Sequence, residues 1–333
     1  MSHSGIQTGP EIPSSQPSPL PLEMTGVQPG GGWCAQVEMA WGRLRRWYLK
    51  RFRPGYVRRM AELRQGNTDG APHEILDPRD LKYCRNLVRC DWAPEHDPFR
   101  WRDRLPFARW GLAELVLIGG PLGLLTLAGV VLALVQSAWW WLAVVLVGAP
   151  WALVVWFFRD PPRRIPQDPG LWVSPADGKV VEVVRLEHDP FLGGPAVRIS
   201  IFLSIFDVHV NRSPCAARAA AFRYQRGDFL NAMRPESAER NENLWIGLEA
   251  TEPPYGRLAV RVIAGAIARR IVCVLRPGEE LGRGQKFGMI KLGSRTELVL
   301  PDREGLELLV QVGSKVRAGS TPIARWHWKG VLP

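Results

Sequence analysis

Residues 110–158 read WGLAELVLIGGPLGLLTLAGVVLALVQSAWWWLAVVLVGAPWALVVWFF, and the organisation of the whole chain follows from this stretch. Glu114 is its only ionisable residue. Two apolar segments, Trp110–Val135 and Trp139–Phe158, are separated by the short link Gln136-Ser137-Ala138. Each segment is long enough as a helix to cross a hydrocarbon layer of ~30 Å. The stretch therefore predicts a transmembrane helical hairpin within residues 107–160.

The charges around this hairpin predict its orientation. Arginines flank both outer ends, whereas the connecting turn has no charge, so the positive-inside rule places both ends in the cytosol. Tryptophans cluster near the predicted boundaries, as in an aromatic belt. A buried hairpin in a soluble core and a re-entrant hairpin, kinked at its Gly-Pro sites, are the alternatives. The flanking arginines are Arg100, Arg102, Arg104, Arg109, Arg159, Arg163 and Arg164.

The residues before the hairpin divide into two regions. Residues 1–32 are rich in Pro, Gly and Ser and lack Lys and Arg, which predicts a disordered tail and no secretory signal. Residues 33–106 form a basic, membrane-proximal region. Within it, 34–66 combines arginines with aromatic residues at helical spacing until Pro54-Gly55 breaks the run. A basic amphipathic helix on anionic lipid is one interpretation; a solvated helix and nucleic-acid binding are the others.

The residues after Pro166 predict a β-rich domain, because short Val- and Ile-rich runs alternate with Gly, Pro and Asp turns. The fold class is therefore α+β: a β-rich domain at 161–333 with a few helices, preceded by the N-terminal transmembrane hairpin. The net charge of +11 favours anionic partners. Five Cys without a CxxC pair argue against a disulfide scaffold or zinc ribbon. The runs are Val180–Val184, Val197–Leu203, Leu258–Ile263, Ile267–Leu275, Leu298–Leu300 and Leu306–Val312.

Three local clusters in this domain contain residue types that do chemistry: Asp177 in Ser174–Val180, His209 in Phe206–Arg212, and Ser294 after Gly293. Each has an ordinary structural explanation, as a turn former, a partnered strand histidine and a Gly-Ser turn. Together, an Asp, a His and a Ser can activate a hydroxyl group. The glycine before Ser294 leaves its carbonyl open to attack by Ser294 Oγ, which points to self-processing.

At these clusters the sequence resembles the phosphatidylserine decarboxylase proenzymes, in their shorter bacterial and archaeal form. The resemblance extends roughly from Phe157 to Ala324, and the first 100 residues lie outside it. Its ordered motifs include Phe157-Phe158-Arg159-Asp160-Pro161, Phe202–Pro214, Asn241-Glu242-Asn243, Ile263-Ala264-Gly265, Ala268-Arg269-Arg270-Ile271-Val272, Lys286-Phe287-Gly288 and Gly293-Ser294-Arg295.

The resemblance implies a mechanism. Ser294 attacks the Gly293 carbonyl, and the chain divides into a β chain of residues 1–293 and an α chain of residues 294–333. Ser294 becomes a covalent pyruvoyl group, which forms a Schiff base with phosphatidylserine and releases CO₂ to give phosphatidylethanolamine. Asp177 assists self-cleavage and His209 transfers protons, with no metal and no diffusible cofactor. Whether His209 also serves cleavage, or Asp177 and backbone geometry suffice there, stays open.

The implied protein is a membrane enzyme at the cytoplasmic face, a heterodimer of its own two chains or a higher oligomer, acting on anionic lipid and not on nucleic acid. Three alternatives stay open. One is a non-catalytic, membrane-anchored adaptor, since the Val312–Ala324 turn resembles lipoyl-type domains. The second is the same chemistry on another serine-headed lipid, such as archaetidylserine. The third is a nucleic-acid binder.

Overall fold

The computed structural model of the chain describes most of the residues after the N-terminal tail. The predicted disordered tail lies outside this part, except for Gly32 at the start of the first helix. The described residues are 32–66, 75, 90–93, 95–225, 227–233, 236–265, 271–276, 278–290 and 294–327.

The basic region folds as two helices and a small sheet. Helix α1 spans Gly32–Phe52 and α2 spans Pro54–Glu62, so the predicted break at Pro54 is confirmed. Proline has no backbone N–H, and the N–H groups of the first helical turn have no acceptor within the helix, so Pro54 can begin α2. Strands β1 (Arg64–Gly66) and β2 (Cys90–Trp92) pair antiparallel. One face of α1 leaves large apolar side chains exposed: Trp41, Leu44, Trp47, Tyr48 and Phe52.

Two long apolar helices follow, α3 (Arg109–Val135) and α4 (Trp140–Phe157). Their length and composition suffice to cross a membrane, and their bounds agree with the predicted hairpin. Small residues let them approach closely: a Cβ on Gly129 would lie 3.1 Å from a Val144 methyl group. Most of their side chains face outward, unlike those of a soluble core hairpin.

The predicted kink sites do not break either helix. Helix α4 continues through Pro150. Helix α3 contains a π-helical turn at Leu115–Gly119, which ends two residues before Pro121, a residue with no N–H to donate.

The described residues after the hairpin form mainly antiparallel sheets, in agreement with the α+β prediction. The strands are β3 (Leu171–Val173), β4 (Gly178–Asp189), β5 (Gly194–Leu203), β6 (Val210–Arg212), β7 (Ala217–Gln225), β8 (Asn243–Ala250), β9 (Gly256–Ile263), β10 (Ile271–Cys273), β11 (Glu280–Leu281), β12 (Lys286–Ile290), β13 (Ser294–Pro301), β14 (Leu306–Leu308), β15 (Lys315–Val316) and β16 (Pro322–Trp326). The largest sheet has the order β11-β7-β8-β9-β13-β5-β4-β15, and two three-stranded sheets have the orders β10-β12-β6 and β14-β16-β3. A single-turn helix, α5, spans Ser237–Arg240.

One face of the large sheet packs into the main hydrophobic core. On β5, Val197, Ile199, Ile201 and Leu203 are fully buried in that core, because successive side chains point to opposite faces. Strands β7 and β8 extend the sheet but were not among the predicted runs. Strand β7 reads ARAAAFRYQ, in which alanines replace the β-branched residues that identify strands.

Candidate active site

The three predicted clusters lie at one end of the strands of the large sheet. Ser294 is the first residue of β13 and pairs with Leu203, the last residue of β5. Strand β4 lies on the other side of β5, with Lys179 opposite Phe202, so Asp177 immediately precedes β4 at the same end of the sheet. The loop after β5 leads to His209. Since adjacent strands lie about 4.8 Å apart, two strand spacings, roughly 10 Å, separate the starts of β13 and β4.

Ser294 is fully buried at this end of the sheet. Its side chain shares a face of β13 with Thr296 and Leu298, and Leu298 belongs to the main core. Ser294 Oγ has no hydrogen-bond partner in the part of the chain that the structure describes. A buried hydroxyl without a partner is costly, and such groups are frequent where a protein does chemistry. Gly293, the predicted cleavage partner, lies outside the described residues.

Asp177 lies in a buried turn and accepts three hydrogen bonds. Arg163 donates to both carboxylate oxygens, at 2.7 and 3.0 Å, and the Ala318 N–H donates to Oδ1 at 2.8 Å. Burial raises the pKa of Asp177 above its ordinary value, although the Arg163 charge opposes this shift. The next residue must be glycine: Gly178 has φ +144°, and a Cβ there would collide with the Phe202 carbonyl oxygen.

His209 is fully buried just before β6, at the end of the loop that begins at Ser204. Its Nδ1 lies 2.9 Å from the Asp207 carbonyl oxygen. Because a carbonyl only accepts, Nδ1 bears the hydrogen in the neutral ring and Nε2 keeps its lone pair. Burial lowers the pKa of His209 from 6.5 to about 4, so the ring is neutral at pH 7.

Strand β6 connects the three predicted residues. Asn211 Nδ2 donates to Thr296 Oγ1 at 3.2 Å and approaches the Pro175 carbonyl at 3.5 Å. The Arg212 N–H donates to the same Pro175 carbonyl at 3.0 Å, which ties β6 to the Asp177 turn. On its other side, the Ile290 N–H donates to the His209 carbonyl at 3.1 Å. The Asp177 turn, the His209 loop and β13 therefore form one hydrogen-bonded unit.

The sequence analysis assigned no site role to Arg159, Asp160 or Arg163. Arg163 was interpreted only as a flanking charge of the hairpin, yet it binds Asp177. Asp160 is buried between Arg212, at 2.9 Å, and Lys286, and joins the end of the hairpin to β6 and β12. Arg159, Asp160 and Lys286 belong to the motifs of the family resemblance, which was the available signal, whereas Arg163 had only its place among the charges after residue 158.

The described residues contain no group of three or more His, Cys, Asp or Glu side chains that could hold a metal ion. Cys215 and Cys273 are buried, and no disulfide joins them. Burial raises the pKa of the Cys215 thiol far above its ordinary value, so it is a poor nucleophile.

An antiparallel sheet that places a buried serine hydroxyl, unpartnered among the described residues, at the same end as an aspartate and a neutral histidine is typical of an enzyme that activates a hydroxyl group. The family model described as phosphatidylserine decarboxylase matches residues 151–324, which include all three clusters. A phosphatidylserine decarboxylase proenzyme of Rhodopirellula baltica is 50% identical over 247 residues, covering 74% of this chain and 99% of that protein. One of Carboxydothermus hydrogenoformans is 47% identical over 204 residues, covering 61% of this chain and 91% of that protein.

The chain therefore belongs to the phosphatidylserine decarboxylase family, whose members are self-processing decarboxylases, and it is a carboxy-lyase. This confirms the resemblance inferred from the motifs. The family model begins inside α4 and extends to β16, so α1, α2 and most of the hairpin lie outside it. The prediction that the first 100 residues lie outside the resemblance is wrong, because the 247 residues matched by the Rhodopirellula baltica protein include the hairpin and reach into them.

Proposed function

We propose that this chain is a phosphatidylserine decarboxylase that converts its own Ser294 into a pyruvoyl group and releases phosphatidylethanolamine and CO₂ at a membrane surface. The observation that supports this most is the Ser294 hydroxyl at the first position of β13, which is buried and has no hydrogen-bond partner among the described residues. In a self-processing family, that hydroxyl is the group that must attack the preceding peptide bond.

The proposed self-cleavage uses atoms of this chain and one water. Ser294 Oγ bonds to the Gly293 carbonyl carbon, the Gly293–Ser294 C–N bond breaks, and the hydroxyl proton moves to the new amine. A base then removes the Ser294 α-proton, and the bond between Ser294 Cβ and Oγ breaks. This elimination frees the Gly293 carboxylate. The resulting dehydroalanine takes up water and loses ammonia, which leaves the pyruvoyl group. Asp177, with its raised pKa, is the proposed proton carrier.

The residues around Ser294 fit a pyruvoyl group. Its position is fully buried, and Arg295, the next residue, is held on the opposite face of the sheet. Arg295 pairs there with Glu182 and Glu297, and donates to Ser200 Oγ at 2.7 Å. These contacts would hold the new chain end after cleavage. When present, the group supplies an electron sink for loss of a carboxylate next to an amine.

His209 is the proposed proton carrier of the decarboxylation step. The neutral ring has an unprotonated Nε2, and its Nδ1–H is fixed on the Asp207 carbonyl. Arg159 and Asp207 are among the charges that influence its pKa. Because the ring is fully buried, water is excluded from the atom that exchanges a proton with the substrate.

The two cleaved chains would stay together as a heterodimer. The α chain contains β13, which lies between β9 and β5 in the middle of the large sheet. It also contains β15, which pairs with β4, and β16, which pairs with β3 of the β chain. Separation would expose these strand edges and the core residues Leu298, Leu300 and Ile323.

We further propose that α3 and α4 span the membrane with both ends in the cytosol, and that the domain at 161–333 works at its cytoplasmic face. The exposed aromatic face of α1 would lie in the interface between water and anionic lipid. Tryptophan and tyrosine favour that interface, and each nearby basic residue contributes about 1 kcal/mol of attraction.

Deleting residues 1–66 tests the role of α1. We expect the hairpin to keep the truncated enzyme in the membrane. We also expect its activity on vesicles with a low fraction of anionic lipid to fall several-fold, and the salt sensitivity of that activity to decrease. Activity and membrane retention equal to those of the full chain at every salt concentration would show that α1 does not bind lipid.

Analysis of lipid products tests the proposed function itself. The purified full chain is mixed with phosphatidylserine vesicles, and we expect CO₂ and phosphatidylethanolamine in equal amounts, with none from phosphatidylcholine vesicles, which lack a primary amine. Product from archaetidylserine vesicles but not from phosphatidylserine vesicles would favour the second alternative, the same chemistry on another serine-headed lipid. An intact chain that releases no CO₂ from any serine lipid would favour the adaptor, and lipid-free protein bound to nucleic acid would favour the third alternative.

A further inference from the structure

We propose that the end of the second hairpin helix is part of the active site: Phe157 and Arg159 position the loop that contains His209. The hairpin would then be required for catalysis as well as for anchoring. This inference rests on the proposed function, since His209 acts in the decarboxylation step only if that function is correct.

The first observation is a clamp on one backbone carbonyl of the loop. The Phe206 carbonyl accepts a hydrogen bond from Trp156 Nε1 at 3.0 Å and another from Arg159 at 2.7 Å. Arg159 also donates to the Trp156 carbonyl at 2.7 Å and lies over the Trp156 ring, 4.0 Å from its centroid. The end of α4 therefore holds the loop by its main chain, and the Phe206 side chain remains 62% exposed.

The second observation is direct contact between the helix and the imidazole. The Phe157 ring lies 4.4 Å from the His209 ring, centroid to centroid, with the planes inclined by 40°. Phe157 is buried in a small cluster that includes Val208 and Val210, which flank His209 in the chain, and Met289 of β12. A displacement of α4 would therefore displace the imidazole or open a cavity beside it.

The loop transmits these contacts because it is internally fixed. The Asp207 side chain accepts hydrogen bonds from the Ser204 N–H at 2.8 Å and from Ser204 Oγ at 2.7 Å. Its carbonyl accepts the one from His209 Nδ1. The Phe206 carbonyl thus binds the helix end, and the next carbonyl in the chain, that of Asp207, binds the imidazole.

The charges around the ring agree with this arrangement. Burial, to which Phe157 contributes, is the largest cause of the lowered pKa of His209. The Arg159 charge lowers that pKa further, and Asp207 opposes it from the loop. Arg159 in turn interacts electrostatically with Asp177 and Arg163. The helix end therefore contributes both to the position of the histidine and to its lowered pKa.

Full-length variants at the helix end test the proposal, with the kcat, KM and pH profile measured on the self-cleaved fraction only. For Phe157→Leu we expect kcat to fall about 10- to 100-fold with KM within about 2-fold, as expected when a reacting group is displaced by about 1 Å. Exposing the imidazole raises its pKa from about 4 toward 6.5, so the acid limb of the profile should move upward. Arg159→Gln should lower kcat in the same way, and Arg159→Lys, which keeps the charge and one donor, should partly restore it.

Phe158→Leu is the matched control. Phe158 lies in the same buried cluster, edge-to-face on Phe157 at 4.9 Å, so its loss should reduce stability comparably without moving the pH profile. Trp156→Phe, at an exposed site, removes one hydrogen bond and provides a variant that folds. Wild-type kcat and pH profile in Phe157→Leu, Arg159→Gln and Trp156→Phe would overturn the proposal and leave the hairpin an anchor. A wild-type enzyme that releases no phosphatidylethanolamine would instead contradict the proposed function.

Discussion

Ser294→Ala is expected to leave one uncut chain with no decarboxylase activity above background. Alanine has no oxygen to attack the Gly293 carbonyl, and it cannot become a pyruvoyl group, so both the cleavage and the electron sink are lost. The fold should survive, because the substitution removes a buried oxygen that has no hydrogen-bond partner among the described residues. Removing such an oxygen is neutral or slightly stabilising.

Intact mass spectrometry measures this outcome directly. The wild-type chain should give two fragments, 1–293 and 294–333, and the smaller should resist amino-terminal sequencing because its end is a ketone. Ser320→Ala, in the same small fragment, is the matched control and should process normally. Recovery of active Ser294→Ala, or of active wild-type protein as one unbroken chain, would contradict the mechanism.

Asp177→Asn should have the second largest effect, a loss of self-cleavage rate of about 10²-fold or more. General acid–base groups typically contribute 10²- to 10⁴-fold, and asparagine cannot exchange a proton. The change also leaves the buried Arg163 charge with a neutral partner, which costs about 3–5 kcal/mol when one member of a buried ion pair is removed. We therefore expect uncut chain to accumulate and the melting temperature to fall.

A pulse-chase gel gives the cleavage rate, and thermal melting in detergent gives the stability. Asp228→Asn is the matched control, because Asp228 pairs with Arg240 at the surface, with both side chains more than half exposed. Surface pairs contribute about 0–1 kcal/mol, so both measurements should stay near wild type. Equal cleavage rates in the two variants would remove Asp177 from the mechanism.

The sequence determined the parts of this protein that depend on local pattern. The hairpin helices were predicted to within about a residue, because an uninterrupted apolar run can satisfy its backbone in lipid only as a helix. The break at Pro54 and the strands β4, β5, β9 and β13 were likewise predicted, since each follows from its own residues. The motifs around Asp177, His209 and Ser294 were sufficient to identify the family, which the comparisons then confirmed.

Only the tertiary structure decided which residues meet at the site. Asp177 and Ser294 are more than a hundred positions apart in the chain. Because β13 and β4 both pair antiparallel with β5, the two strands begin at the same end of the sheet. Strand β7 was missed because alanine has little intrinsic preference for strands, and pairing with β8 and β11 places this segment in the sheet. Likewise, Arg163 resembled any other charge beside a membrane until the fold placed it on Asp177. Periodicity reports a residue's own exposure, whereas pairing between distant segments depends on sheet order and register, which no single stretch specifies.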